Sequence, residues 1–214
     1  MNAPPRDCPL CPRLVAFRAG NRAREPGWHN APVPSFGGLD AALLVVGLAP
    51  GLRGANRTGR PFTGDYAGLL LYATLLKYGF AKGSYAESAD DGLTLLGARI
   101  TNAVRCVPPA NLPTPLESRT CNSFLRAELA AMPRLRVILA LGTLAHQMSL
   151  RALGLKPSAH RFAHGAMHEA RPGLMLADSY HVSRYNTSTR RLTVPMFEEV
   201  VRQIQELLAA RGAA

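Results

Sequence analysis

Three groups of residues in this chain of 214 amino acids have types and spacings that chemistry could use. The stretch HVSRYNTSTRRLT, residues 181–193, packs one histidine, five serine or threonine hydroxyls, one asparagine and three arginines into a single loop. Hydroxyls and guanidiniums at that density suit phosphate oxygens. A second group is GLAPGLRGANRTGRPFTGD, residues 47–65, glycine-rich and closed by an aspartate. The third is four cysteines: Cys8 and Cys11 in CPLC, then Cys106 and Cys121 with fourteen residues between them. A CxxC pair joined by two more distant thiolates completes a tetrahedral set for an iron-sulfur cluster or zinc. The alternative is one CxxC and two buried free thiols; disulfides are not expected in a cytoplasmic chain.

These groups need elements to hold them. Ala41 to Gly47 (AALLVVG) is a short continuous apolar run ended by glycine and proline, the pattern of a strand buried on both faces. Ala98 to Asn102, Arg136 to Leu141 and Leu174 to Ala177 predict three more strands. Helices are predicted over Gly68–Tyr78, Leu116–Ala131, Thr143–Leu153 and Pro195–Ala210. Strand and helix in alternation imply an α/β domain of three layers, a mostly parallel four-stranded sheet with helices on both faces. The first forty residues read as an irregular N-terminal extension carrying two of the cysteines. Ligands of such sheets bind outside the carboxyl ends of the strands, which selects the loops GLAPGLRGANRTGRPFTGD, TNAVRC and DSYHVSRYNTSTRRLT.

Composition narrows the setting. A chain of this length buries about 70% of its unfolded surface as one domain. Apolar content of 47% with 18% charged residues is that of a globular protein. MNAPPRDCPL lacks the apolar stretch of a secretory signal, and the longest apolar run, Ala41 to Leu52, is too short to span a bilayer, so the chain reads as cytoplasmic with no membrane partner. The formal charge is +11, and 22 of 25 basic residues are arginine, which suits a polyanion or merely keeps the protein soluble. There is no G-x-S-x-G elbow for acyl transfer and no GxxxxGK[ST] phosphate loop.

GLAPGLRGANRTGRPFTGD, ITNAVRC with a distant cysteine, CPLC and HVSRYNTSTRRLT, in this order, resemble the family 5 (type B) uracil-DNA glycosylases, the iron-sulfur branch of that superfamily. The resemblance runs from Cys8 to about Thr193. Family 4 is the nearer alternative, but its first motif has a glutamate where Leu48 stands. The resemblance implies a monofunctional enzyme that flips a damaged base out of DNA, hydrolyses its N-glycosidic bond and so initiates base excision repair. Phe62 would stack on the base, Asn102 would read its edge, and Gly47 and Ala49 would line the pocket. His181 would donate to the pyrimidine O2 as charge develops there. Asp65 would orient water or stabilise the sugar cation, although it also stands where an N-cap for the following helix belongs. Arg57, Arg60, Ser183, Arg184, Asn186, Thr187 and Arg190 would contact DNA, with Ser188, Thr189 and Arg191 nearby. Cys8, Cys11, Cys106 and Cys121 would hold a [4Fe-4S] cluster. The implied partner is double-stranded, and in some cases single-stranded, DNA with damaged bases, met by a monomer.

Departures from the family pattern are Val182 in place of proline, expected to loosen the loop, a glycine of GLAPG where many relatives have alanine, expected to widen the pocket, and Tyr185, which could wedge into a duplex. His160, His164 and His168, spaced by four with Glu169 adjacent, are a rival metal-binding pattern, set aside because Gly165 argues against one long helix. A different class of function, a DNA-binding module with a four-cysteine metal site and no chemistry, would explain the charge and the cysteines but not Phe62, Asn102 and His181 together.

Overall fold

The computed structural model describes residues 3–212. In chain order the elements are α1 (Pro12–Arg24), β1 (Leu43–Gly47), α2 (Ala55–Thr58), α3 (Tyr66–Lys77), β2 (Ala81–Lys82), β3 (Thr94–Leu95), β4 (Ala98–Asn102), α4 (Pro115–Ala130), β5 (Val137–Leu141), α5 (Thr143–Ala152), β6 (Met167–Arg171), β7 (Leu174–Ser179), α6 (Arg184–Ser188) and α7 (Val194–Gly212). The main sheet has five strands in the order β4-β1-β5-β7-β6, with β2 and β3 forming a separate small hairpin.

β1 and β5 are buried at every residue, which is why both read as continuous apolar runs. Their side chains alternate between two cores. Leu43, Val45, Val137 and Leu139 face α3 and α7 through Leu71, Tyr72, Phe197 and Val201. Leu44, Val46, Ile138 and Ala140 face α4 and α5 through Leu125, Ala145 and Met148. β1, β4, β5 and β7 run parallel, in register from Leu43 opposite Ala98 to Gly47 opposite Asn102. Gly47, Asn102 and Ser179 therefore end together at one edge, and the three polar loops begin there. No helix among the described residues is long and apolar enough to cross a membrane.

Two expectations are corrected. The sheet has a fifth strand, β6, antiparallel to β7 at the sheet edge. Its sequence, MHEAR, buries only Ala170 and so carries no apolar run. The N-terminal forty residues are not irregular throughout, because α1 occupies thirteen of them. Its buried face is Leu14, Arg18 and Asn21, spaced as on one helical side but mostly polar, so apolar periodicity could not reveal it.

Candidate active site

Phe62 and His181 come from loops more than a hundred residues apart and meet over the sheet edge. Their rings lie 6.0 Å apart between centroids, at 29° between planes. Ala49, Pro50, Gly51, Ala55, Phe62, Asp65, Ala67, Asn102 and His181 line one small cavity. Five of the six residues assigned to catalysis or base contact are among these, and the sixth, Gly47, lies directly beneath. A Cβ on Gly47 would collide with Asn102 Oδ1 and the Phe62 ring. Its missing side chain lets those two groups approach the strand end.

Backbone geometry aims Phe62. Its φ is +52°, in the left-handed region that non-glycine residues seldom adopt. The loop is over-determined on both sides of that residue. Tyr72 donates its hydroxyl to Pro61 O at 2.6 Å, and Tyr85 donates to Phe62 O at 3.1 Å. Arg60 donates to Thr63 Oγ1 at 2.8 Å and forms a two-pronged ion pair with Asp91 at 2.7 Å per contact. Its guanidinium also lies within 6 Å of the rings of Phe36, Tyr72 and Tyr85. Arg60 is only 5% exposed, so it braces the Phe62 loop, and the expected contact with DNA is corrected on that ground.

Asp65 stands at the N-cap position of α3, yet its side chain makes no capping hydrogen bond. Its carboxylate lies against Gly51 and Gly54, where any Cβ would strike it, and Oδ1 is buried with no hydrogen-bond partner. Burial raises its pKa above the usual carboxylate value, with Glu87 adding to the rise and the nearby amides of Ala67 and Gly68 opposing it. The carboxylate thus stands between the first turn of α3, whose Ala67 and Gly68 amides face it, and the cavity, where Oδ1 has no partner. The GLRG glycines that make room for it are functional positions that the sequence reading passed over.

Asn102 ends β4, is 3% exposed, and has no side-chain hydrogen-bond partner among the described residues. Its amide is free to serve a ligand with donor, acceptor or both. His181 follows β7 at the pocket wall. Burial pushes its pKa down to about 4, so its imidazole is neutral near pH 7, with one ring N–H to donate and one ring nitrogen to accept.

The loop after His181 is ordered by its own hydroxyls. Ser183 caps the short helix α6, accepting from the Asn186 amide at 3.4 Å. Asn186 Nδ2 donates to His181 O at 2.8 Å, fixing the backbone beside the imidazole. Thr187 bonds back to the carbonyls of Ser183 and Arg184. Ser183, Asn186 and Thr187 therefore build the loop first. Val182 is fully buried in the core shared with α7, so the loop is anchored where looseness was expected. Arg57, Arg184, Ser188, Thr189, Arg190 and Arg191 are exposed, and Arg184 lies over the Tyr66 ring at 5.2 Å. Tyr185 is 72% exposed at the start of α6.

All four cysteines are free thiols lining one apolar cavity with Leu14, Val104 and Phe124. The segment leading into α1 delivers Cys8 and Cys11, the loop after β4 delivers Cys106, and α4 delivers Cys121. Arg18 donates to Cys8 O at 3.0 Å and reaches Cys106 Sγ at 3.7 Å, while the Arg105 amide reaches Cys121 Sγ at 3.4 Å. Burial, reinforced by neighbouring thiols, pushes Cys106 up to about 12 and Cys121 up to about 11.

The histidine pattern divides. His160 stacks on His168 with centroids 4.8 Å apart, whereas His164 stacks on Tyr180 and accepts from its amide. Glu169 accepts from the Gly173 amide at the β6–β7 turn.

Comparison with known proteins agrees with this geometry. The sequence profile of the Uracil DNA glycosylase superfamily matches residues 34–205. The chain is 48% identical over 206 residues to the type-5 uracil-DNA glycosylase of Thermus thermophilus, covering 94% of this chain and 93% of the relative. It is 42% identical over 209 residues to that of Mycobacterium tuberculosis, covering 94% and 78%, and 43% identical over 201 residues to that of Pyrobaculum aerophilum, covering 92% and 87%.

Proposed function

Because the chain belongs to the uracil DNA glycosylase superfamily, we propose that it is a uracil-DNA glycosylase of the type-5 kind, hydrolysing the N-glycosidic bond of uracil in DNA to start base excision repair. The observation that carries this reading is the cavity in which Phe62, Asn102, Asp65 and His181 converge. The flipped base stacks on Phe62, and the Asn102 amide takes its O4/N3–H edge. As the bond breaks, the base gains negative charge and the sugar positive charge. Neutral His181 donates to the former. The Asp65 carboxylate, without a partner at Oδ1, faces the latter or holds the attacking water.

The reading extends to hypoxanthine and other deaminated bases. Deamination leaves a carbonyl beside an N–H, and an amide with no protein partner to fix its orientation meets that pair in either order. The exposed Arg57, Arg184, Arg190 and Arg191 suit phosphates flanking the flipped nucleotide, and Tyr185 suits the gap left in the stack. A monomer is sufficient for this arrangement.

The four cysteines fit a [4Fe-4S] cluster. An apolar wall and N–H groups aimed at sulfur are the surroundings that tune such clusters. When bound, the cluster would supply a cross-link between α1, α4 and the loop after β4. Anaerobically purified protein is expected to carry about four irons and four acid-labile sulfides per chain; their absence would remove this part of the reading.

Single-turnover assays on duplexes with one uracil, hypoxanthine or thymine opposite guanine, treated with alkali, test the activity. Lesion-dependent breaks that disappear with Asp65→Asn and His181→Ala are expected. Tight binding without abasic product, in protein with its cysteine site loaded, would leave a DNA-binding module.

A further inference from the structure

On the sheet face covered by α5, away from the base pocket, lies a buried His-Asp-His group that none of the chemistry above employs. Asp178 of β7 and His146 of α5 are 0% and 1% exposed, and His168 of β6 is 19% exposed. His146 Nδ1 lies 2.8 Å from Asp178 Oδ1, and His168 Nε2 lies 3.5 Å from Asp178 Oδ2. One ligand atom from each residue falls within 4.8 Å of the other two. We propose that His146, His168 and Asp178 form a binding site for a divalent cation of the zinc class, with the fourth coordination position open to solvent beside His168.

Three observations support the assignment. Asp178 Oδ2 and His168 Nε2 are both buried without a hydrogen-bond partner and face each other, an arrangement that is costly unless something lies between them. His146 Nε2 sits 3.0 Å from the carbonyl oxygen of His160. A carbonyl only accepts, so Nε2 carries its hydrogen and Nδ1 is left to hold either a proton shared with Asp178 or a metal. An imidazole whose outer N–H donates to a carbonyl is the usual support of a metal-ligating histidine. Lastly, two imidazoles and a carboxylate are zinc donors, and bonds of about 2.0–2.1 Å need ligand atoms about 3.3 Å apart in a tetrahedron; His146 and His168 approach the two Asp178 oxygens at 2.8 and 3.5 Å, and the three ligand atoms need only draw in from within 4.8 Å. Asp178 lies in β7 and His181 follows that strand, three residues further on, so the ion would tie α5 and β6 to the strand that leads to the base-facing histidine.

The test uses the protein with its cysteine site as isolated, dialysed against chelator and then against zinc or cobalt(II). Expected are one equivalent of zinc beyond the metal at the cysteines, cobalt d–d bands without a thiolate charge-transfer band, and a thermal midpoint that rises with zinc concentration. His168→Gln, at the most exposed of the three ligands, should weaken zinc binding at least about tenfold and abolish the zinc-dependent rise in midpoint. Asp178→Asn should do the same. No added equivalent in the wild type, a thiolate band in the cobalt spectrum, or an equivalent that persists in His168→Gln would overturn the proposal and leave a hydrogen-bonded cluster.

Discussion

Glu128 and Asp65 are both carboxylates drawn into the protein, and their surroundings differ. Glu128, with no exposed surface, accepts from Arg99 at 2.6 Å, from Thr101 at 3.0 Å and from Arg105, which is itself 1% exposed. Each of its oxygens is met by a charged donor. Asp65 has one oxygen with no partner, two glycines cleared from its path and a raised pKa. The first arrangement joins β4 to α4, and the second leaves a charge unspent at a cavity wall. Between these two carboxylates, the one met on both oxygens ties elements together, and the one with an open oxygen faces the cavity.

Substitutions should separate the two cases. Asp65→Asn is expected to lower single-turnover excision by about 10²–10⁴ with DNA affinity little changed; equal losses in rate and affinity would make the residue structural. Glu128→Ala strands the buried Arg105 guanidinium and the half-buried one of Arg99 and should cost about 3–5 kcal/mol in denaturant unfolding, while the excision rate per folded molecule stays near wild type. His181→Ala removes one preorganised donor, worth about 10²–10³ in rate with little change in stability. The smallest effect is in the folded state's response to pH. Since folding raises the pKa of Asp65, its protonated form is favoured, and stability contributed below the unfolded value is lost as pH rises through the folded one. At neutral pH Asp65→Asn should therefore gain roughly 0.5–2 kcal/mol, seen as a higher thermal midpoint.

The pH profile of excision sharpens the same comparison. The rate should fall with acid as Asp65 protonates at its raised pKa. No limb is expected near the ordinary histidine value, because His181 is held at about 4 and stays neutral there. A limb that survives in Asp65→Asn would assign the acid titration elsewhere.

What could be read beforehand follows the same division. β1 and β5 were legible because strands buried on both faces leave uninterrupted apolar runs. Phe62, Asn102, Asp65 and His181 were legible as motif residues at strand ends, and the cavity joins them. Arg60 was misread because charge in a sequence does not say whether it is solvated; only Asp91 and three aromatic rings, distant in the chain, reveal a buried brace. α1 was hidden because Arg18 and Asn21 occupy its inner face. His146 and Asp178 left no local signal, since their pairing exists only once α5 packs on β7.

The docking of α1 also has a consequence for how the chain is made. Cys8 and Cys11 leave the ribosome first, but the cavity they complete needs Cys106 and Cys121, and closing a loop of that length is entropically costly until the intervening strands have paired. During synthesis the amino-terminal segment must wait, its thiols accessible to oxidants and its backbone to proteases, for roughly the first half of translation. The segment ahead of α1 is thus fastened only after residues a hundred positions further along have been made.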